Sequence, residues 1–257
     1  MNIMHKPVRG LFMLCLVVLL ASCGFTEARI KREQQSEASY TMGIANLNGN
    51  TPNTQQAYID FLKAIEISPN NKKAHYALGH VHTQRQDYAK AIEAFKKAIS
   101  LDENYSEAHN YLGKIYETMG KDTEAISAYQ GALKNIQYAT PQLPYWNMGM
   151  IYFRQKKYDD ALEAFQQTRK FEPVNGVVLA KIGETYTKQG EMDKALFFYK
   201  EAVTLAPTDH MAHYRLASFY FEKGPRTLAI EGFNKVISLS PQSSEAESSR
   251  KRLELLN

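Results

Sequence analysis

The residues best suited to chemistry in this sequence are its histidines, because neutral imidazole binds metals readily and can act as a general base near neutral pH. The candidates are His75, His80, His82, His109, His210 and His213. His75 and His82 are seven residues apart, so a helix would place them on one face. However, the chain contains no HExxH or CxxC arrangement, no nucleophile elbow and no glycine-rich phosphate loop. We therefore predict no catalytic residue, no metal site and no cofactor.

The histidines belong to a repeated pattern in which they have a packing role, so neither catalysis nor metal binding is needed to explain them. A small residue recurs with a period of 34 or 36 residues at Gly43, Gly79, Gly113, Gly149, Gly183 and Ala217. His75, His109 and His213 all stand four residues before this small residue, and His82 stands where later copies have tyrosine. We interpret these imidazoles as core rings with a polar edge. An enzyme that uses the histidines remains the least favoured alternative.

Two further series share the same period. An alanine recurs at Ala57, Ala91, Ala125, Ala161, Ala195 and Ala229. An aromatic ring follows each alanine by four residues, at Phe61, Phe95, Tyr129, Phe165, Tyr199 and Phe233. Closing prolines stand at Pro69, Pro173, Pro207 and Pro241. The clearest copy, 176–209, predicts two amphipathic helices joined by a turn at Gln189-Gly190-Glu191.

This pattern resembles the tetratricopeptide repeat, which has a small residue, an aromatic residue and a proline at a period of 34. The resemblance implies an all-α fold, a right-handed superhelical solenoid of six repeats. Solenoids of this kind present a binding surface along the stack of repeats. We therefore expect a protein-binding module that is not an enzyme and has no small-molecule substrate.

The amino terminus is typical of an exported lipoprotein. Lys6 and Arg9 precede an apolar run over 11–20 that is too short to cross a bilayer, as in a signal peptide. The sequence Leu20-Ala21-Ser22-Cys23 resembles the lipobox of bacterial lipoproteins. That resemblance implies cleavage after residue 22, lipidation of Cys23 by acyl chains such as palmitate, and an outer-membrane address favoured by Gly24. An ordinary signal peptide that leaves a free thiol is the alternative.

The predicted organisation follows from these boundaries. Residues 1–22 form the signal peptide, 23–35 a lipidated tether, 36–243 the six repeats and 244–257 a C-terminal capping helix, with Ser244 and Glu247 at capping-box spacing. Thr140 and Pro141 are inserted before the fourth repeat. Loss of Lys6 and Arg9 with the signal lowers the net charge from +4 to +2. A nearly neutral chain lacks the basic stripe expected of a nucleic-acid partner.

A second apolar stripe on the first helices marks a candidate binding surface. In the fourth repeat it comprises Leu143, Trp146, Met150 and Phe153, whereas the third repeat has Glu107, Asn110, Lys114 and Glu117 at the same places. In tetratricopeptide arrays this face lines the concave groove. The remaining predicted groove residues are Tyr40, Ile44, Leu47, Tyr76, Met211, Tyr214 and Phe221. Packing against neighbouring helices or the tether is the equally weighted alternative at any one position.

The lipobox, the short tether and the six repeats together resemble the type IV pilus pilotins, the lipoproteins of the PilF, PilW and Tgl type. The join at Tyr138-Ala139-Thr140-Pro141 is the most particular point of similarity. The resemblance implies an outer-membrane lipoprotein, with its repeats in the periplasm, that binds the pilus secretin and promotes its localisation and multimerisation. The alternative is a general periplasmic scaffold, such as an adaptor for peptidoglycan enzymes or a polysaccharide-export component.

Overall fold

The computed structural model describes the backbone of residues 7–49 and 51–256, and the side chains of 26–49 and 51–256. Every regular element in this described part is a helix, which confirms the all-α prediction. The helices are α1 Pro7–Asn48, α2 Thr54–Ile67, α3 Lys72–Gln84, α4 Tyr88–Leu101, α5 Ser106–Thr118, α6 Asp122–Ala132, α7 Gln142–Arg154, α8 Tyr158–Phe171, α9 Gly176–Gln189, α10 Met192–Leu205, α11 His210–Lys223, α12 Arg226–Leu239 and α13 Ser244–Glu254.

The chain forms two compact units, Met1–Ile115 and Tyr116–Asn257. In the first unit, α1 packs on α2, α2 on α3, and α3 on α4. In the second, each of the helices from α6 to α13 packs on the next one in the chain. Each unit is therefore a stack of helix pairs, as the solenoid prediction requires.

The glycine of the first helix lies against the aromatic ring of the second helix in the second and fourth repeats. A Cβ atom at Gly79 would lie 2.6 Å from Cε1 of Phe95, and one at Gly149 would lie 2.5 Å from Cε1 of Phe165. Phe95 and Phe165 are fully buried. Glycine is needed at these two sites because any side chain would occupy the volume of the ring.

The sixth repeat solves the same packing problem with a different pair of residues. Ala217 replaces the glycine on α11, and Gly232 lies opposite it on α12. A Cβ atom at Gly232 would lie 2.7 Å from Cβ of Ala217. The absent glycine of the repeat pattern is therefore offset by a glycine on the facing helix.

The turn between the two helices of a repeat has one residue in the left-handed region in four repeats. Glycine occupies this place as Gly120 (φ 71°) and Gly190 (φ 83°), whereas Gln86 (φ 60°) and Lys156 (φ 61°) adopt it with a side chain. The next amide then donates to a carbonyl five residues back, as from Glu191 to Tyr186 at 3.0 Å. This is a Schellman-type helix end.

The first turn of the array agrees with the sequence-based expectation, whereas the start of the last helix differs from it by one residue. The turn after α1 is long, as predicted, and the Asn53 side chain caps α2 by accepting from Gln56 N at 2.9 Å. The N-cap of α13 is Ser243, whose Oγ accepts from Ala246 N at 3.1 Å. The prediction of Ser244 as the cap is wrong by one residue because Ser244 is already helical.

Candidate functional site

The histidines play structural roles in the described part of the chain. His75, His109 and His213 each donate from Nε2 to a carbonyl oxygen in the preceding loop, on Pro69, Glu103 and Pro207, at 3.0, 3.1 and 3.0 Å. Burial lowers the pKa of His75, of His82 and, to about 4, of His80. No group of three or more potential ligand residues within the described ranges is placed to hold a metal ion.

In the first unit, the predicted groove tyrosines pack on the core rings of their own repeats. Tyr40 lies 5.9 Å from Phe61 and Tyr76 lies 5.7 Å from Phe95, measured between ring centroids. Ile44 and Leu47 pack, half-buried, against the core cluster that contains Phe61. Desolvation by this packing raises the pKa of Tyr40.

In the second unit, the stripe of the fourth repeat comes together on α7 as predicted from its spacing. Trp146 packs on the buried Phe165 at 5.3 Å between centroids, while Leu143 is 45% exposed. Met150 and Phe153 are half-buried, and Lys181 Nζ lies 4.6 Å from the Phe153 ring centroid. The stripe therefore has an exposed N-terminal end at Leu143 and a covered C-terminal end at Phe153.

A cavity of about 180 Å³ opens beside Trp146, and we call it the Trp146 cavity. Its lining residues are Gln142, Leu143, Trp146, Thr168, Glu172, Asn175, Val177 and Val178. They come from the start of α7, the end of α8, the loop between α8 and α9, and the start of α9. Because Asn175 caps α9 by accepting from Val177 N at 2.9 Å and Val178 N at 3.3 Å, the wall on this side is held in place.

Two of the three predicted groove residues of the sixth repeat, Tyr214 and Phe221, pack against the C-terminal helix α13. The guanidinium carbon of Arg252 lies 5.4 Å from the Tyr214 ring centroid and 5.3 Å from that of Phe221. Leu253 and Leu256 pack against the same cluster. Met211 lines a small cavity of about 40 Å³ between α9 and α11. Tyr214 and Phe221 are therefore covered by the chain itself, whereas Met211 is not.

Two features of the surface escaped prediction. Glu172, in the loop after α8, and Val177, on α9, lie beside Trp146. Only the position of Val177 could have been indicated by the sequence, because Val177 is the counterpart of Leu143 one repeat later. A wider cavity of about 620 Å³ opens in the first unit between α2 and α4, beside Leu62 and Ile65. Leu62 is 43% exposed, and the same place holds a polar residue in every later repeat: Lys96, Gln130, Gln166, Lys200 and Asn234.

The signal peptide and the predicted lipidation of Cys23 lie outside the described side chains. The tether from residue 26 onwards is helical, continuous with the first repeat, and exposed up to Gln35. Among the residues that the structure describes, no helix has an apolar stretch long enough to cross a membrane.

Family comparisons match the periodicity found in the sequence. Models described as tetratricopeptide repeat match residues 61–93, 106–136, 143–173, 178–209 and 211–243, and one described as TPR repeat matches 79–120. No curated protein sequence matches the chain.

Solved structures share the fold at low sequence identity. PilF of Pseudomonas aeruginosa is 21% identical, with a TM-score of 0.68 over 86% of this chain and 99% of that one. PilW, described as a widely conserved type IV pilus biogenesis factor, is 18% identical, with a TM-score of 0.66 over 83% and 97% of the two chains. YrrB, described as a TPR protein with an unusual peptide-binding site, is 20% identical, with a TM-score of 0.59 over 74% and 97%.

Proposed function

This chain belongs to the tetratricopeptide-repeat family, and from that premise we propose that it is an outer-membrane pilotin. In this proposal the lipidated Cys23 holds the repeats at the periplasmic side of the membrane. The repeats bind the secretin subunit of a type IV pilus and promote its localisation and multimerisation. The protein acts by binding and has no catalytic step.

The observation that carries the proposal is the extent of the likeness to two pilus proteins. The alignments cover 99% of PilF and 97% of PilW, and 86% and 83% of this chain. The lipobox at Leu20–Cys23 supplies the membrane address that a pilotin needs. The exposed end of the α7 stripe, with Leu143 45% exposed beside the half-buried Trp146, supplies apolar surface for a secretin segment.

The proposal is tested in the source bacterium by deleting the gene and restoring either the parent or a Leu143→Asp variant. A charge at this exposed position should disturb binding with little effect on folding. The parent should restore outer-membrane secretin multimers and piliation, and Leu143→Asp should not. The matched control is Glu163→Gln, an exposed change on α8 away from the stripe, which should behave like the parent.

The alternative function predicts a different partner in the same cells. Affinity purification of the full-length protein from solubilised membranes should recover the secretin subunit. Recovery of a peptidoglycan enzyme or a polysaccharide-export protein, together with unchanged secretin multimers in the deletion strain, would show a general scaffold and overturn the pilotin proposal.

A further inference from the structure

We propose that the Trp146 cavity binds an arginine side chain of the partner, with its guanidinium over the indole ring and beside the Glu172 carboxylate. The inference rests on the proposed function, because it specifies the chemistry of the segment that this surface recognises. An apolar residue next to that arginine would cover the exposed part of Leu143.

The size and walls of the cavity suit one long side chain. Its volume of about 180 Å³ is smaller than the roughly 300–1,000 Å³ typical of small-molecule pockets. Leu143 and Val177 provide apolar wall along which methylene groups can lie. Arginine is adapted to such a site because its stem buries on apolar surface while the guanidinium reaches a polar group.

The charge inside the cavity comes from Glu172. Its Oε2 accepts a hydrogen bond from Asn175 Nδ2 at 2.6 Å. No cationic side chain in the described part of the chain forms an ion pair with Glu172. The carboxylate therefore attracts a positively charged group from a partner, and its second oxygen can accept one of the guanidinium hydrogens.

The chain already packs a guanidinium on aromatic rings at the equivalent place of the sixth repeat. Tyr214 and Phe233 occupy the places that Trp146 and Phe165 hold in the fourth repeat, and each pair is in ring contact, at 6.2 and 5.3 Å. The guanidinium carbon of Arg252 lies 5.4 Å from the Tyr214 ring and 5.7 Å from the Phe233 ring. The position on the first helix that Trp146, Tyr214 and Tyr40 share, which we call the slot, is thus one where a guanidinium can pack on aromatic rings.

Trp146 differs from Tyr40 and Tyr214 of this series in that its ring holds no cation of the chain within the described residues. In the first repeat, Lys73 Nζ lies 5.7 Å from the Tyr40 ring, which occupies the same slot. Within the described ranges, the aromatic contact of Trp146 is with Phe165, and no cation of the chain lies over its ring. Because tryptophan is the strongest cation–π acceptor among the side chains, the indole favours a cationic ligand.

The test uses the full-length protein and two peptides, acetyl-Leu-Arg-Leu-amide and its neutral counterpart acetyl-Leu-Gln-Leu-amide. Trp146 is the only tryptophan, so its fluorescence reports binding at this cavity directly. We expect the arginine peptide to shift the emission and to bind about five- to tenfold more tightly than the glutamine peptide. Glu172→Gln should reduce the ratio of the two affinities towards one, whereas Glu163→Gln, an exposed change on α8, should retain it.

Equal affinities for the two peptides in the parent, binding of neither peptide at millimolar concentration, or an unchanged ratio in Glu172→Gln would each overturn the inference. The outcome is separable from that of the pilotin proposal. A clear arginine preference with no secretin recovered from membranes would leave the cavity chemistry standing and remove the proposed partner. Secretin recovery without any arginine preference would support the pilotin proposal and overturn the inference about the cavity.

Discussion

Ala217 and Gly232 face each other across the helix crossing of the sixth repeat, and only one of the two can carry a methyl group. The second Cβ would lie 2.7 Å from the first, a distance that requires backbone movement because neither atom can rotate away. In the first, second, fourth and fifth repeats, the close approach is instead between a glycine on the first helix and the aromatic ring on the second.

We expect Gly232→Ala to destabilise the protein despite the helix propensity of alanine. Overpacking typically costs about 1 to 3 kcal/mol, and the gain in propensity offsets about 1 kcal/mol of that. The double variant Ala217→Gly with Gly232→Ala moves the methyl group to the other helix and should approach the parent. Denaturant unfolding of the four proteins measures the coupling, and strictly additive effects would show that the two residues do not compete for space.

Lys156→Gly should stabilise the fourth repeat. Lys156 has φ 61° at the turn where Gly190 has φ 83°, and a left-handed backbone costs a residue with a side chain about 1 kcal/mol. Lys157→Gly is the matched control, because Lys157 has φ −84° and gains nothing from glycine. A lower free energy of unfolding for Lys156→Gly than for the parent would contradict this account.

Trp146→Ala should affect both binding and stability, because the ring lies on Phe165 but is only half-buried. Complete removal of a core tryptophan costs about 3 to 5 kcal/mol, so we expect a smaller loss, about 1 to 2 kcal/mol. Trp146→Phe keeps an aromatic ring in the slot and should fold like the parent, yet bind the secretin more weakly. Thermal unfolding and membrane pull-down measured on both variants separate the two effects. A loss as large as that of a core residue would remove Trp146 from the binding surface.

Acidification should destabilise the protein through His80. Its ring lies 4.1 Å from Tyr111 and 4.5 Å from Tyr76, and burial lowers its pKa from 6.5 to about 4. The unfolded chain therefore binds the proton more readily, so stability is fully present above pH 6.5 and declines as the pH falls towards 4. The shift corresponds to at most about 3 kcal/mol.

The matched variant is His80→Met, which places in the second repeat the residue that the fourth repeat has at Met150. Its unfolding free energy should vary less between pH 7 and pH 4 than that of the parent. His75 and His82, whose pKa values are also lowered by burial, would account for the dependence that remains. An identical pH profile in the two proteins would exclude His80 as the source.

Cys23→Ala should release the protein from the outer membrane without unfolding the repeats. The motif Leu20–Cys23 motivates this expectation, since stable anchoring requires the acyl chains. Cell fractionation checks the location, and circular dichroism checks that the variant retains its helices. The lipoprotein hypothesis fails if the variant still fractionates with the outer membrane as the parent does.

The sequence predicted the repeat because its information is local and periodic. The turn at Gln189-Gly190-Glu191 and the helices on either side of it agree with the structure of the fifth repeat. The position of Glu172 in the Trp146 cavity could not be predicted, because it depends on how the loop after α8 lies against α7. The contact of Arg252 with Tyr214 was not predicted either. Arg252 lies outside the six repeats, and the repeat pattern does not indicate where its long side chain will pack.

Each glycine contacts a ring that is near in the chain: Gly79 and Phe95 are 16 residues apart, as are Gly149 and Phe165. A contact at this separation closes a short loop, so its entropic cost is small, and proteins dominated by such contacts fold rapidly. Every helix pair can also form its central contact before its neighbours have folded. We therefore expect folding to begin in any repeat and to spread to the repeats beside it. Each repeat could then fold as soon as its own residues are free to do so, before the rest of the chain has folded.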